Sequence, residues 1–293
     1  MRLGFIGTGH MGNPIARHLI RAGNELVVFD RRPEASANLI ELGAAWGESA
    51  SGVASQVEVV FTSLPGPPEV DEAVLGDEGI LAGARAGTVH VDLSSNLPSS
   101  VRRLARIEAS RSVTFLDAPV SGMVTGAEAG TLAVFVGGDA KAFEVVQPLL
   151  STFGGNVFHV GGTVGMGNIV KLSNNLMTIA SGLLVYEALA LGVKAGLDAQ
   201  KLYEMWNVSS SSRYVQGVPR MLERQWDDPS FALALAAKDL GLAVESGREL
   251  AVPLTVTAAA SQLYTRAVAR GLGGKSPQAV LQVVEEEAGT KIQ

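Results

Sequence analysis

Residues 2–30 restrict what this chain can become more than any other stretch. Arg2-Leu-Gly-Phe-Ile-Gly7 reads as a short apolar strand, Gly7-Thr8-Gly9-His10-Met11-Gly12 follows it at once, and Asn13 to Ala22 reads as a helix. A glycine-rich turn at that junction lets backbone N–H groups approach a phosphate at the helix N-terminus. A second strand, Glu25 to Asp30, ends on a carboxylate 18 positions after Gly12, the spacing at which an acid can accept hydrogen bonds from ribose hydroxyls. Gly-x-Gly-x-x-Gly alone is a weak pattern, and the bland alternative is a glycine turn followed by a chance acid. Strand, turn, helix and acid in succession favour a Rossmann-type dinucleotide-binding unit in an α/β domain.

The alternation continues. Helix Pro33 to Leu42, a short strand near Ala45-Trp46, helix Ser49 to Ser55 and strand Val57 to Thr62 lead to the break Ser63-Leu64-Pro65-Gly-Pro-Pro68. Carboxyl ends of strands line the ligand crevice of an open parallel sheet, so this loop is expected to border it. Strand Thr88 to Leu93 runs into Ser94 and Ser95, which are expected to cap the helix beginning near Pro98; their position also suits contact with a nicotinamide ribose. Strand Val113 to Asp117 precedes the polar, glycine-containing loop Ala118 to Gly126, whose backbone donors could hold an anion. Strand Ala133 to Val136, helix Ala140 to Phe153 and strand Val157 to Val160 complete a domain over residues 1–162.

Gly165 to Val193 contains no proline and reads as one helix of about 28 residues, about 42 Å long at 1.5 Å per residue. It is apolar almost all round. Lys171, Asn174, Asn175 and Thr178 form the exception, falling at i, i+3, i+4 and i+7 on one face. A polar stripe on a helix otherwise fit for burial predicts an internal wet cleft, where a lysine can exchange a proton. Two plainer readings compete: Lys171 snorkels from a helix end while the asparagines cap it, or Leu176 to Val193 spans a membrane. Ser181, Glu187 and the polar stripe count against the span.

Beyond Val193 the pattern is helical: Asp198 to Val208, Pro219 to Arg224, Ala232 to Arg248, Pro253 to Gly271 and Ser276 to Ala288. These predict an all-α domain over residues 163–293. Lys238-Asp239 interrupts an apolar run and reads as a structural ion pair before it reads as a substrate contact.

Composition excludes several functions. A net charge of −6 with scattered arginines offers nucleic acid no basic patch. There is no cysteine, hence no disulfide, thiol nucleophile or thiolate metal site. His10, His18, His90 and His159 lack metal-ligand spacing. The opening strand follows Met1 with no targeting segment, which leads us to expect a soluble cytoplasmic protein.

Taken together, Gly7-x-Gly9-x-Met11-Gly12, Asp117-Ala-Pro-Val-Ser121-Gly122, Gly130-Thr131-Leu132, Gly165-x-Gly167-Asn168-x-x-Lys171-Leu-x-Asn174-Asn175 and Lys238-Asp239-Leu240 resemble the β-hydroxyacid dehydrogenase family, the 3-hydroxyisobutyrate dehydrogenase and tartronate semialdehyde reductase group. The resemblance covers nearly the whole chain. It implies hydride transfer between a nicotinamide cofactor and a small 3-hydroxy acid or its semialdehyde, with Lys171 as general acid/base. Substrate contacts are implied for Ser121, Gly122, Asn175 and Lys238, and Met123 beside them is a further candidate; the candidate cofactor contacts are Gly7 through Gly12, Asp30, Arg31, Arg32, Ser63, Leu64, Pro65, Ser94, Ser95 and Lys238. Family members associate through the helical domain, which implies a homodimer or homotetramer. Arg31 and Arg32 could pair with a 2′-phosphate, but Asp30, fixed at the strand end, would repel it, so NAD is expected over NADP. Met123 departs from the family, which usually has a second glycine there, and Ser276-Pro-Gln278-Ala279 departs from its Asp-x-Ser-Ala. Met123 either lies over the substrate or only packs in the core. An imine-reductase-like enzyme, which should lack the lysine, and a non-catalytic NAD(P)-binding protein are the rival readings.

Overall fold

The computed structural model describes residues 1–227 and 229–292. The chain divides into two compact units, Met1–Lys171 and the remainder from Leu172.

The first unit is a nine-stranded sheet. Its strands are β1 (Arg2–Ile6), β2 (Glu25–Phe29), β3 (Ala45–Trp46), β4 (Val59–Thr62), β5 (Val89–Asp92), β6 (Thr114–Asp117), β7 (Val120–Ser121), β8 (Leu132–Gly137) and β9 (Gly154–Gly161). They lie in the order β3-β2-β1-β4-β5-β6-β8-β7, with β9 on β8. From β3 to β6 every neighbour is parallel, whereas β8 runs antiparallel to β6 and β7. Period-two side chains explain why these strands are apolar throughout: Leu3, Phe5, Val28 and Phe61 enter one core, while Ile6, Val27 and Val60 enter a second. The chain leaves β1 for β2 and β3, then returns past β1 to β4. That reversal opens a crevice at the carboxyl ends of β1 and β4, the place where such sheets bind ligands.

Ala118 to Gly126 was expected to be a loop. Instead it forms β7 and the first turns of a helix, Met123–Ala129, bracketed by Gly122 at φ 138° and Gly130 at φ 69°. Val120 pairs with Val134, and Ala127 is buried, so tertiary packing orders a stretch whose local sequence favours turns.

The second unit is helical. Helices Ala199–Asn207, Val218–Leu222, Leu233–Glu249, Thr255–Ala267 and Leu281–Ala288 share a core built from Leu183, Leu189, Leu202, Met221, Leu240, Tyr264 and Val283. The long helix is Met166–Lys194, 29 residues. It is not the buried helix that its composition suggested, since only 22% of its most apolar 18 residues are buried. Met177, Leu184 and Leu191, seven residues apart, are 63%, 61% and 74% exposed. An all-round apolar helix fits a face covered by something outside this chain as well as a core. Beside that face lies an apolar groove of about 710 Å³ lined by Leu184, Leu191, Val256 and Leu263, with Glu187 and Arg266 among its polar residues.

Candidate active site

The glycine turn has the shape its sequence required. Gly7 sits at φ 90°, where a Cβ would run into the Ser63 carbonyl oxygen, and a Cβ on Gly12 would overlap the Gly7 carbonyl oxygen. A Cβ on Gly9 would meet nothing within 4 Å. The outer glycines therefore close the turn on itself, and the middle one leaves the backbone open to an approaching pyrophosphate. Asp30 ties the turn to the end of β2: Oδ2 accepts from Thr8 N at 2.8 Å and Oδ1 from Arg32 N at 2.9 Å. Its remaining lone pairs can accept ribose hydroxyls. The Thr8 side chain points away from this role, 2.7 Å from Ser36 Oγ in the interior. His10, Arg31 and Arg32 are exposed and Met11 is half-buried. Arg32 Nε stands 4.0 Å from Asp30 Oδ1. The residues fit a dinucleotide.

At the next two strand ends, Leu64 N donates to Ser94 Oγ at 2.9 Å, and Ser94 N donates to Asp92 Oδ1 at 3.1 Å. This bond joins the Ser63-Leu64-Pro65 and Ser94-Ser95 loops. The helix that follows is Pro98–Ala109, and its N-cap position is held by Leu97 rather than by either serine.

Asp117, at the end of β6, receives the first turn of the long helix. Oδ1 accepts from Gly165 N at 2.6 Å; Oδ2 accepts from Asn168 N at 2.8 Å and Asn168 Nδ2 at 3.2 Å. A carboxylate at a helix N-terminus is doubly favourable, satisfying orphan N–H groups and meeting the positive end of the dipole. Burial nevertheless pushes its pKa up to about 6, against the pull of those donors. Asn168 in turn accepts from Asn96 N at 2.7 Å. Gly167 permits the close docking, because a Cβ there would collide with the Phe135 carbonyl oxygen. Lys171, half-buried, stands one turn beyond this clamp. Sequence reasoning quoted Asp117 and Asn168 within motifs but gave them no task. A polar residue three positions before the lysine was the available signal.

Ser121 is half-buried, and Met123 takes φ 59° with 68% of its surface exposed. The core-packing alternative for Met123 is therefore wrong.

In the helical unit, Asn175 is buried and its Nδ2 donates to Asp239 Oδ2 at 2.6 Å. Asn174 Nδ2 donates to Asn175 Oδ1 at 3.2 Å. Lys238 Nζ pairs with Asp239 Oδ1 at 2.9 Å, the ion pair that the sequence suggested. Thr178 is exposed and its hydroxyl donates to the Asn174 carbonyl at 3.0 Å. Asp239, 3% exposed, is the residue that sequence reasoning missed here: it fixes Asn175, the candidate substrate contact.

Fold and glycine turn together define a dinucleotide-dependent oxidoreductase. Residues 2–161 match the NAD-binding domain of 6-phosphogluconate dehydrogenase, and residues 165–284 match the NAD-binding family of NADP-dependent 3-hydroxyisobutyrate dehydrogenase. The chain is 40% identical over 294 residues to the 2-(hydroxymethyl)glutarate dehydrogenase of Eubacterium barkeri, covering 100% of this chain and 97% of that protein. It is 37% identical to the 2-hydroxy-3-oxopropionate reductase of Escherichia coli, covering 100% of both. Among solved structures, the 3-hydroxyisobutyrate dehydrogenase of Mycobacterium tuberculosis with L-serine superposes with a TM-score of 0.85 at 29% identity, covering 97% of this chain and 98% of that one. The chain belongs to the β-hydroxyacid dehydrogenase family. It is an NAD(P)-dependent oxidoreductase acting on the CH–OH group of small hydroxy acids or on the matching semialdehydes.

Proposed function

We propose that Lys171 is the general acid/base of this reaction and that the groups around its helix orient a 3-hydroxy acid. The observation that carries the reading is the Asp117–Asn168 clamp, which holds the first turn of the long helix with Lys171 one turn beyond it. A bound nicotinamide dinucleotide supplies the hydride acceptor or donor. Lys171 Nζ takes the hydroxyl proton during oxidation and returns it to the carbonyl oxygen during reduction. In the first unit the backbone of Ser121 and Gly122 binds the substrate carboxylate, and in the helical unit Asn175 is the candidate substrate contact. Asp239 acts through Asn175, keeping its amide turned to donate, and Lys238 adds positive charge nearby. The cofactor is held by Gly7, Gly9, Gly12 and Asp30, with the Ser63–Pro65 and Ser94–Ser95 loops at its nicotinamide end.

NAD is the preferred cofactor. Both Asp30 oxygens accept backbone N–H groups, so the carboxylate stays where a 2′-phosphate would have to sit, whereas Arg31 and Arg32 are exposed and can swing away. The enzyme works in the cytoplasm as a homodimer or homotetramer, a second copy covering the Met177, Leu184 and Leu191 face. Burying each leucine contributes about 1.5–3 kcal/mol. The test is turnover with NAD and NADP against unsubstituted and 2-alkyl 3-hydroxy acids and their semialdehydes. The reading expects turnover of this class with at least a tenfold kcat/KM preference for NAD, about 1.4 kcal/mol. A preference for NADP overturns the cofactor assignment, and no turnover of any member overturns the substrate class.

A further inference from the structure

His90, inside β5, is fully buried in a hydrogen-bonded chain that the proposed reaction does not use. Nδ1 lies 2.9 Å from Glu108 Oε1, and Nε2 lies 2.9 Å from Thr62 Oγ1 at the end of β4. The Thr62 hydroxyl donates to Asp92 Oδ1 at 2.8 Å, the same oxygen that accepts from Ser94 N. Ser94 Oγ then accepts from Leu64 N. The chain thus runs from the helix Pro98–Ala109 through the sheet to both loops at its carboxyl edge.

Hydrogen bookkeeping fixes the state of the ring. A hydroxyl has one hydrogen, and Thr62 gives it to Asp92 Oδ1. Thr62 Oγ1 must therefore accept from Nε2, so Nε2 carries a hydrogen. A second proton lies in the contact between Nδ1 and Glu108, and the raised pKa of His90 places it on Nδ1. The His90–Glu108 pair accordingly holds one proton more than a glutamate beside a neutral imidazole. Glu108 and Asp92 are the charged groups that bear on the ring; Phe115 meets it edge-on at 4.9 Å, and Asp117 is the β6 neighbour of Asp92.

We propose that the His90–Glu108 pair is a positioning device for the dinucleotide: with its extra proton it holds Asp92, Ser94 and Leu64 in place through Thr62. When that proton leaves, Thr62 turns its hydrogen to Nε2, Asp92 loses a donor and cofactor binding weakens. This rests on the reading that the loops after β4 and β5 face the dinucleotide. The direction follows from the ring's surroundings. Burial alone lowers the His90 pKa, but the Glu108 charge, the Glu108 hydrogen bond and Asp92 outweigh it, and the pKa is raised above 6.5. A raised histidine contributes stability that is complete below its unfolded value and is lost as pH rises through the folded one. The loosened state is therefore the alkaline one.

The experiment measures dinucleotide Kd from about pH 6 to about pH 10 for the wild type, His90→Gln and Glu108→Gln, bracketing an elevated histidine. The wild type is expected to lose about 2- to 10-fold in affinity with rising pH, the worth of roughly one hydrogen bond. His90→Gln abolishes that dependence. Glu108→Gln, which removes the carboxylate that raises His90, moves it to lower pH. Imidazole 15N shifts on the wild type provide a readout that needs no variant to fold, and they should report both nitrogens protonated at the acid end of that range. A flat wild-type profile, an unchanged profile in both variants, or a singly protonated His90 overturns the inference while leaving the enzyme's assignment intact. Absence of dinucleotide binding at every pH overturns both.

Discussion

The two units of this chain meet the demand for burial in different ways. The sheet unit covers both faces of its central strands with its own helices, so Phe5 and Phe61 on one side and Val27 and Val60 on the other are all at most 1% exposed. The helical unit has a core of its own but leaves Met177, Leu184 and Leu191 in the open along one helix. Contiguous apolar surface of that kind marks an interaction site. The unit with the glycine turn buries its apolar strands with its own helices, whereas the helical unit leaves an apolar stripe uncovered.

The largest expected effect tests the uncovered stripe. Leu184→Glu places a charge on the exposed stripe, and in a symmetric assembly it acts twice. It should weaken self-association by at least about 100-fold, the cost of losing one buried leucine per protomer. Sedimentation velocity would show the shift to monomer, while dinucleotide affinity should stay within a few-fold. If association is unchanged, the stripe is covered by something other than a second copy.

Asp117 tests the sheet unit. Its pKa of about 6 lies above the ordinary 3.8, so the folded state favours its protonated form. The stability it contributes is present below pH 3.8 and lost as pH rises through about 6. At 1.36 kcal/mol per unit, this amounts to roughly 3 kcal/mol. Asp117→Asn does not titrate, so its stability deficit against the wild type should be widest near pH 4 and narrow toward pH 7. Urea unfolding at several pH values would check this, and a deficit independent of pH contradicts it.

Met123→Gly probes the smallest effect. A methionine at φ 59° bears about 1–2 kcal/mol of strain that glycine escapes. Thermal unfolding should therefore show a small gain in stability. Strain held at an exposed apolar side chain points to function, so kcat/KM should fall for 2-alkyl substrates relative to unsubstituted ones. An equal change for both classes removes Met123 from the substrate site.

The strand, turn and acid of residues 2–30 were legible because they are local: Gly7, Gly12 and Asp30 act on backbone close in sequence or at the adjoining strand end. The long helix was legible in extent for the same reason. Its exposure was not, since composition cannot tell what covers an apolar face. The hold of Asp117 on Gly165 and Asn168, and of Asp239 on Asn175, depended on partners about 50 and 64 residues away. Buried carboxylates announce that they need donors without saying which. Residues 118–126 misled because glycines that favour a turn in isolation here bracket a short helix ordered by packing.

The central claim is that binding and chemistry separate, the glycine turn holding the dinucleotide and Lys171 moving the proton. Lys171→Ala measures it most directly. A general acid/base contributes about 10² to 10⁴ in rate, so kcat should fall at least 100-fold while dinucleotide Kd stays within a few-fold. Near-normal turnover in that variant would contradict the account.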